Sequence, residues 1–368
     1  MGCLCSSRSC ALPKIGYISE DRLQNIPQRH WAAHEFAFYI HDLMVSLAQA
    51  AEMSDAGHIS IKLETEKDVA ALKAASNPID FLAATGRVYE ERRLAVNHIC
   101  AALFPDILHF IHAGLIALEK RKFTLAFACL RKPFKEGLPI IALLCADEED
   151  FFINFKKDPV SFLDGKNFDR SAKRKAIEAA IVKCSDSDFM SAELLFAYLY
   201  DYKNPAGFAA LFEKSVHLVT KFNDVKTEAY NLNFIFKNPQ EDDIYDSSYQ
   251  GISYVLLCLH FMQIELMKRM RFPADDYLKQ LKIRTLGTYQ SLFLKGRSDI
   301  TSGINKTLED LMKCPVCRGR VQVTKKTAPK FFVTEMLNCN HCGHVSQFPL
   351  SWLMSNHAIG DRDGTTPS

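Results

Sequence analysis

Four cysteines near the C-terminus constrain this chain more than any other feature. They form two C-x2-C pairs, Cys314-Pro-Val-Cys317 and Cys339-Asn-His-Cys342, with 21 residues between them. Each pair can turn two thiolates toward one point, and two pairs complete the tetrahedral four-thiolate site that zinc prefers. We therefore predict a structural Zn²⁺ ion held by these four residues. Because such a site has no open position for a substrate, it predicts a folded module and leaves any reaction unspecified.

The composition is that of an ordinary globular chain. Of 368 residues, 48% are apolar and 24% charged, and the formal net charge is only +2, so nucleic-acid affinity would have to come from a local patch. The longest apolar stretch, Leu94 to Leu118, contains Asp106 and three histidines, and we interpret it as buried helices rather than a transmembrane segment. No secretory signal is visible, and single cysteines within apolar runs suggest buried free thiols, so we expect a cytoplasmic protein.

Helical periodicity dominates the first three hundred residues, and we predict a mainly α protein: a helical bundle with a small C-terminal β zinc ribbon. Asn77-Pro78 and Asn204-Pro205 each read as an N-cap followed by a first-turn proline, the second leading into a helix over 206–222. Valine, threonine and phenylalanine in 320–325 and 330–337 predict a hairpin that carries the two cysteine pairs.

The predicted domain boundaries follow the changes in composition. They are a flexible N-terminal tail over 1–25, a helical bundle over 26–295 with a break into two subdomains near 147–170, a linker over 296–309, the zinc ribbon over 310–356 and a disordered tail over 357–368.

The ribbon is rich in basic residues. We propose as nucleic-acid-binding candidates Arg318, Arg320, Lys325, Lys326 and Lys330, which could meet phosphates of RNA or DNA while Phe331 and Phe332 stack on bases. The alternative is that these cations offset the formal charge of minus two on a zinc ion held by four thiolates.

Histidines recur on the predicted helices. His30, His34 and His41 fall within about 40 degrees of one another on one helical face. His109 and His112 form a second close pair. Either set could ligate a metal in a bundle core, but hydrogen-bonded histidines within the bundle are the alternative that we favour.

Arg29-His-Trp-Ala-Ala-His34 and Arg93-Leu-Ala-Val-Asn-His98 each place a histidine five residues after an arginine. This spacing resembles the Arg-x(4 to 6)-His motif of HEPN-type ribonucleases, in which arginine stabilises phosphate charge and histidine transfers protons. The resemblance implies metal-independent RNA cleavage across a homodimer, with Arg29 and His34 as the better candidate catalytic pair.

The segment from Ala117 to Leu144 is similar to one found in HEPN-like bacterial helical proteins, where an arginine is followed by a glutamate one turn later. The corresponding pair here is Arg131 with Glu136, or Lys132 with Glu136, and Pro133 lies between them. Such a pair could instead be a buried ion pair that fixes helix register.

The N-terminus supports a different interpretation. Met1-Gly2-Cys3-Leu4-Cys5-Ser6 fits the pattern for myristoylation of Gly2, with Cys3 and Cys5 available for palmitoylation. That reading predicts a lipid-anchored protein in a eukaryote and an unmodified tail in a bacterium, and the HEPN-like resemblance favours the bacterial case.

The sequence thus predicts a zinc-ribbon-containing helical binding or effector protein, with nucleic-acid association, HEPN-like ribonuclease activity and bacterial defence as its more specific form. The alternatives are a non-catalytic protein-interaction adaptor and a lipid-anchored protein. We favour a protein that is not an enzyme, and the adaptor predicts no surface cleft that joins the histidines to an arginine.

Overall fold

The structure is a computed structural model that describes residues 14–54, 57–164, 166–184, 189–221, 226–227, 229, 232–233, 242–270, 275–296 and 298–355. The α-helices are α1 Glu20–Leu23, α2 Trp31–Met53, α3 Glu66–Ala74, α4 Pro78–Ala84, α5 Val88–Glu119, α6 Phe123–Arg131, α7 Leu138–Ala146, α8 Glu148–Lys157, α9 Pro159–Leu163, α10 Arg170–Cys184, α11 Ala192–Tyr200, α12 Ala209–Val216, α13 Asp243–Arg269, α14 Asp275–Phe293, α15 Asp299–Thr307, α16 Ala328–Thr334 and α17 Leu350–Ser355. A 3₁₀ helix, Gln28–His30, precedes α2, and a π-helix, Lys132–Gly137, joins α6 to α7.

The prediction of a mainly α fold with a small C-terminal β element is confirmed. Among the described residues the one sheet is an antiparallel pair, β1 Met336–Asn338 and β2 Val345–Gln347, in which Leu337 faces Ser346. The first predicted cap is also correct, since Asn77 Oδ1 accepts a hydrogen bond from Asp80 N at 3.0 Å and Pro78 begins α4.

The core surrounds α13, whose side chains are buried on every face over most of its length. Helices α2, α7, α10, α11 and α14 pack around it. A helix that is apolar all round can be stable in water only when neighbours cover it completely, so its composition fixes its central place. Side chains from both sides of 147–170, including Phe151 of α8 within that range, share this core, so the subdomain break predicted there does not separate two cores.

Helix α5 accounts for the apolar stretch Leu94 to Leu118 as a single helix rather than several. One face packs on α2 and α6, while another is exposed. By length and composition alone, α5 is also the one helix of the described ranges that could cross a membrane, and 39% of its most apolar window is buried. Much of the surface of this apolar helix is therefore not covered by the core of the bundle.

Part of the predicted N-terminal tail is ordered against the bundle. The backbone N–H groups of Ile15, Gly16 and Tyr17 donate to the buried carboxylate of Glu35 at 2.7 to 2.8 Å, and Ile15 is 1% exposed. A carboxylate that accepts several backbone donors fixes the chain locally. The tail prediction is therefore wrong for 14–25, whereas residues 1–13, with the lipidation motif, and 357–368 lie outside the described residues.

The C-terminal part has a small core of its own, and we call residues 299–355 the cysteine module. Ile304 and Leu308 contribute to this core, so the segment predicted as a linker contains a packed helix, α15. The predicted hairpin is also wrong, because 328–334 forms α16. In the described residues the 320–325 segment keeps one isolated bridge, between Lys313 and Arg320.

Candidate metal centre and ligand groove

The four predicted metal ligands converge. The sulfur atoms of Cys314, Cys317, Cys339 and Cys342 all lie within 4.8 Å of one another, and those of Cys314 and Cys342, and of Cys317 and Cys339, are 3.6 Å apart. Zinc–sulfur bonds of about 2.3 Å in a tetrahedron place the sulfurs about 3.8 Å apart. The spacing therefore fits a four-thiolate metal ion, and it is far too long for a disulfide bond.

Both cysteine pairs fold by the same hydrogen-bonding scheme. Arg318 N donates to Cys314 O at 3.0 Å and Gly343 N to Cys339 O at 3.0 Å, four residues back in each case. Each first cysteine also donates its N–H to the carbonyl five residues ahead. The residue after each second cysteine is left-handed, with φ of 60° at Arg318 and 71° at Gly343. Gly343 supplies this conformation freely, whereas at Arg318 the loop imposes it on a side-chain-bearing residue.

Gly319 serves the site by its small size. A Cβ atom at this position would lie 2.9 Å from Cδ2 of His341 and 3.3 Å from Sγ of Cys317. The glycine is thus required where the two pairs approach each other, although its backbone is not in the left-handed region that favours glycine.

Backbone N–H groups favour the thiolate form of Cys339. The N–H groups of Cys342 and His341 point at the Cys339 sulfur and lower its pKa to about 6, with His341 N 3.4 Å from Sγ. The N–H of Gly319 lowers the pKa of Cys317, but the thiols of Cys339 and Cys342 outweigh it and raise that pKa to about 12. A bound cation would replace the protons that these neighbouring sulfurs otherwise share.

The cysteine module is fastened to the bundle through α14. Arg284 donates from Nε to Phe332 O at 2.7 Å and from Nη2 to Val333 O at 3.1 Å, and its guanidinium lies 3.5 Å from Glu335. A Cβ atom on Gly287 would stand 2.5 Å from the Phe332 ring, so this glycine lets the fully buried ring pack directly on the helix.

Two of the predicted nucleic-acid-binding cations are already engaged within the protein. Arg320 forms an ion pair with Glu309. Lys325 donates to the carbonyls of Leu294 and Gly296, just beyond the C-terminus of α14, where a cation is stabilised by the helix dipole. These contacts give both residues a structural role.

The aromatic part of that prediction is wrong. Phe331 and Phe332 are 1% and 0% exposed and belong to the module core, so neither can stack on a base. Arg318 and Lys326 are exposed, and Lys330 is half-buried. Nucleic-acid contact by the cysteine module thus stays a prediction that rests on charge alone.

His34, one half of the predicted catalytic pair, lies inside the bundle. It is 0% exposed, its Nδ1 is 2.8 Å from the Tyr249 hydroxyl and its Nε2 is 3.2 Å from Glu119 Oε1. This arrangement suits a neutral ring that accepts from the tyrosine and donates to the carboxylate. Burial lowers the pKa of His34, so the interior favours this neutral form. Such a ring cannot reach an RNA phosphodiester in this conformation.

Arg29, the other half, points elsewhere. Its Nε and Nη2 donate to the two carboxylate oxygens of Asp246 at 2.7 and 3.0 Å, and His30 Nε2 shares that carboxylate at 2.7 Å. The structure therefore gives Arg29 and His34 separate partners and does not join them in one exposed site. The interpretation that we favour from the sequence, histidines that are hydrogen-bonded within the bundle, describes His30 and His34.

The π-helix explains why the arginine and the glutamate of the second HEPN-like segment are five residues apart. Arg131 Nη1 lies 2.5 Å from Glu136 Oε1, whereas Lys132 pairs with Asp106 at 2.7 Å. In a π-helix hydrogen bonds run from i to i+5, which brings residues five apart onto the same side. Of the two alternatives, Arg131 with Glu136 is the pair that forms. Its side chains are 30% and 53% exposed, so it is not a buried ion pair.

A groove of about 790 Å³ lies between α2 and α5, and we call it the α2–α5 groove. Its floor is the outward stripe of α5, which consists of Leu94, His98, Ala101, Pro105, His109 and His112. Its opposite wall includes His41, Val45, Ala48 and Glu52 of α2, and Met267 and Met270 close one side. The stripe explains why α5 is so apolar and yet so little buried.

One wall histidine is held by a chain of hydrogen bonds. His41 Nδ1 lies 2.9 Å from Asp42 Oδ1, and the Tyr17 hydroxyl donates to the other oxygen of Asp42 at 2.8 Å. The rings of His41 and His112 are 5.4 Å apart across the groove. Within the described ranges, the four cysteines are the only group of three or more potential ligands whose donor atoms lie within 4.8 Å of one another.

The groove was not predicted, although the sequence of α5 contains part of the pattern that indicates it. Histidine, alanine and proline recur at spacings of three and four inside the apolar run, at His98, Ala101, Pro105, His109 and His112. A buried helix would carry large apolar residues on such a face, so small and polar residues there mark a side that faces a cavity.

Comparison of the chain with models of known families, with curated proteins and with solved structures gives no match. The resemblance to HEPN-like proteins is therefore neither supported nor contradicted by relatives, and it stays a prediction.

Proposed function

We propose that the protein is a non-catalytic binding protein, stabilised by a structural zinc ion, whose ligand site is the α2–α5 groove. The observation that carries the proposal is the groove itself. Its volume lies within the range of about 300 to 1,000 Å³ of ligand pockets, and like them it is mostly apolar with a few polar groups. The separation of Arg29 from His34 favours this function over RNA cleavage.

Zinc is the ion that the cysteine module fits best. Four thiolates in tetrahedral spacing suit a soft, geometrically undemanding cation, and a site closed by four protein ligands has a structural role. Elemental analysis of the purified chain should give one zinc per chain, and the Cys339→Ser variant should lose it. Stoichiometric iron instead of zinc would contradict this assignment.

The groove is tested with N-phenyl-1-naphthylamine, a neutral dye that fluoresces on entering apolar sites. The matched variants are Ala101→Trp, which places an indole in the groove, and Ala102→Trp, which places it at the neighbouring exposed position outside the lining. The wild type and Ala102→Trp should bind one dye per chain, and Ala101→Trp should not. Equal binding by all three chains, or no binding by the wild type, would overturn the proposal.

A second candidate function is nucleic-acid contact by the cysteine module. Residues 311–355 contain six lysines and arginines and one acid, Glu335, which faces Arg284. Trp352 is 61% exposed and offers an aromatic face in place of the buried phenylalanines. Binding of single-stranded RNA by the full chain should weaken steeply with salt and should fall in the Arg318→Ala/Lys326→Ala variant. Binding that ignores both changes would reject this function.

A further inference from the structure

The α2–α5 groove is long because it follows two helices that run antiparallel to each other. His41 Nε2 lies 3.3 Å from the carbonyl of Leu108 at one end, and Asn97 donates to the carbonyl of Gly57, just beyond α2, at the other. At 1.5 Å per residue, the lining from Leu94 to His112 spans about 27 Å and that from His41 to Glu52 about 17 Å. The groove therefore suits an extended molecule.

An extended alkyl chain has the matching length. With carbon–carbon bonds of about 1.5 Å and near-tetrahedral angles, it advances about 1.25 Å per carbon, so 14 to 18 carbons span about 17 to 22 Å. The middle of the groove offers apolar surface of the kind such a chain would bury, from Val45, Ala48, Ala101 and Phe104, and Met267 beside them adds an adaptable side chain.

The two ends of the groove differ in the polar groups that line them. His41, His109 and His112 meet at one end, whereas Glu52 and His98 line the other. Among the described residues that line it there is no lysine or arginine, so this part of the groove lacks the strong cations that bind phosphate groups. Imidazole N–H groups can donate to a carboxylate, and the carboxylate beside them, Asp42, is already engaged by His41 and by the Tyr17 hydroxyl. Glu52 at the other end would repel a carboxylate, so a single carboxylate head fits best beside His109 and His112.

We propose that the α2–α5 groove binds a long-chain fatty acid as the free carboxylate, with the alkyl chain along α5 and the head at His109 and His112. The proposal deepens the proposed function and rests on it. The fatty acid is the occupant because the groove combines the length of one alkyl chain with one histidine-rich end. Both head-binding histidines are exposed on the stripe, so their replacement leaves the core intact.

The experiment measures displacement of N-phenyl-1-naphthylamine from the full chain by hexadecanoate and by hexadecan-1-ol. The two ligands share the alkyl chain and differ in the charge of the head, so the ratio of their affinities reports head recognition alone. In the His109→Ala/His112→Ala variant this ratio should shift at least about tenfold against the acid, since hydrogen bonds to a charged group are lost. Octanoate should bind more weakly than hexadecanoate, because it buries half of the chain.

The matched control is His98→Ala, which removes an exposed histidine from the opposite end of the groove. Its acid-to-alcohol ratio should equal that of the wild type. A ratio that falls in His98→Ala, or that stays unchanged in the double variant, would overturn the placement of the carboxylate while leaving the groove as a ligand site. If the wild type does not bind the dye, the proposed function itself is rejected.

Discussion

His260 should make the bundle sensitive to acid. It lies in the middle of α13, is 0% exposed, and neither ring nitrogen has a hydrogen-bond partner among the described residues. Burial lowers its pKa from 6.5 to about 3, because the charged ring would lose its hydration, and the neighbouring side chain of Gln263 offsets only part of that loss. Between about pH 6.5 and pH 3, His260 is therefore neutral in the folded chain but largely protonated in the unfolded chain.

The sign and size of the effect follow from the two pKa values. Between pH 6.5 and pH 3 the unfolded state binds one more proton, so stability falls as the pH falls. Each pH unit is worth about 1.4 kcal/mol, so about 2 kcal/mol is lost between pH 6.5 and pH 5. The loss would continue down to the folded pKa near 3.

The assay is urea-induced unfolding at pH 7 and pH 5, followed by far-ultraviolet circular dichroism. The His260→Leu variant replaces the titrating ring with an apolar side chain of similar size. Its free energy of unfolding should therefore fall by about 2 kcal/mol less than that of the wild type between the two pH values. His217→Leu, at an exposed position, is the control for a surface histidine. Equal losses in the wild type and His260→Leu would refute the reasoning, because contributions from other groups are common to both chains.

Three further outcomes are expected. Removal of the metal by a chelator should open the cysteine module to trypsin and leave the helical circular dichroism of the bundle largely intact, whereas unchanged proteolysis would show that the module folds without metal. Gly319→Ala should weaken metal retention against a chromophoric chelator, since its Cβ would lie 2.9 Å from the His341 ring; equal retention would contradict the close approach. Phe332→Ala should lower the free energy of unfolding by about 3 to 5 kcal/mol in urea titrations, and a loss below about 1 kcal/mol would disprove its place in the core.

Much of the fold was predictable because it is local. Helical periodicity predicted the bundle, and the spacing of the two cysteine pairs predicted that their four sulfur atoms converge. The N-cap at Asn77 could be predicted for the same reason, since it depends only on a side chain and a backbone N–H group three residues apart.

Where local signals compete, the prediction failed. Asn204-Pro205 has the same letters as the first cap, but Asn204 accepts from Ala206 N in a turn, and the following helix begins only at Ala209. In 330–334, valine and threonine favour a strand, yet Pro329 in the first turn and burial of both phenylalanines select a helix. Packing against α14 decided an element that propensity alone assigned wrongly.

The candidate sites depend on distant contacts, which periodicity does not encode. The pattern of α2 places His34 and His41 on related faces, but His34 meets Glu119, 85 residues away, and becomes a core group. His41 meets His112 across an open groove. The chemistry of each histidine is set by which helix lies opposite, and only the assembled bundle shows that.

The metal centre and the groove are separate in chemistry but joined in structure. Arg284 of α14 holds the backbone of Phe332 in the cysteine module, and its guanidinium also lies over the ring of Tyr39 at 5.7 Å. Tyr39 belongs to α2, two residues before the groove wall begins at His41. Because an ion closed by four thiolates can neither bind nor activate a ligand, any effect of the proposed zinc ion on the groove would pass through packing of this kind. That path would run from α16 to α14, which in turn packs against α2.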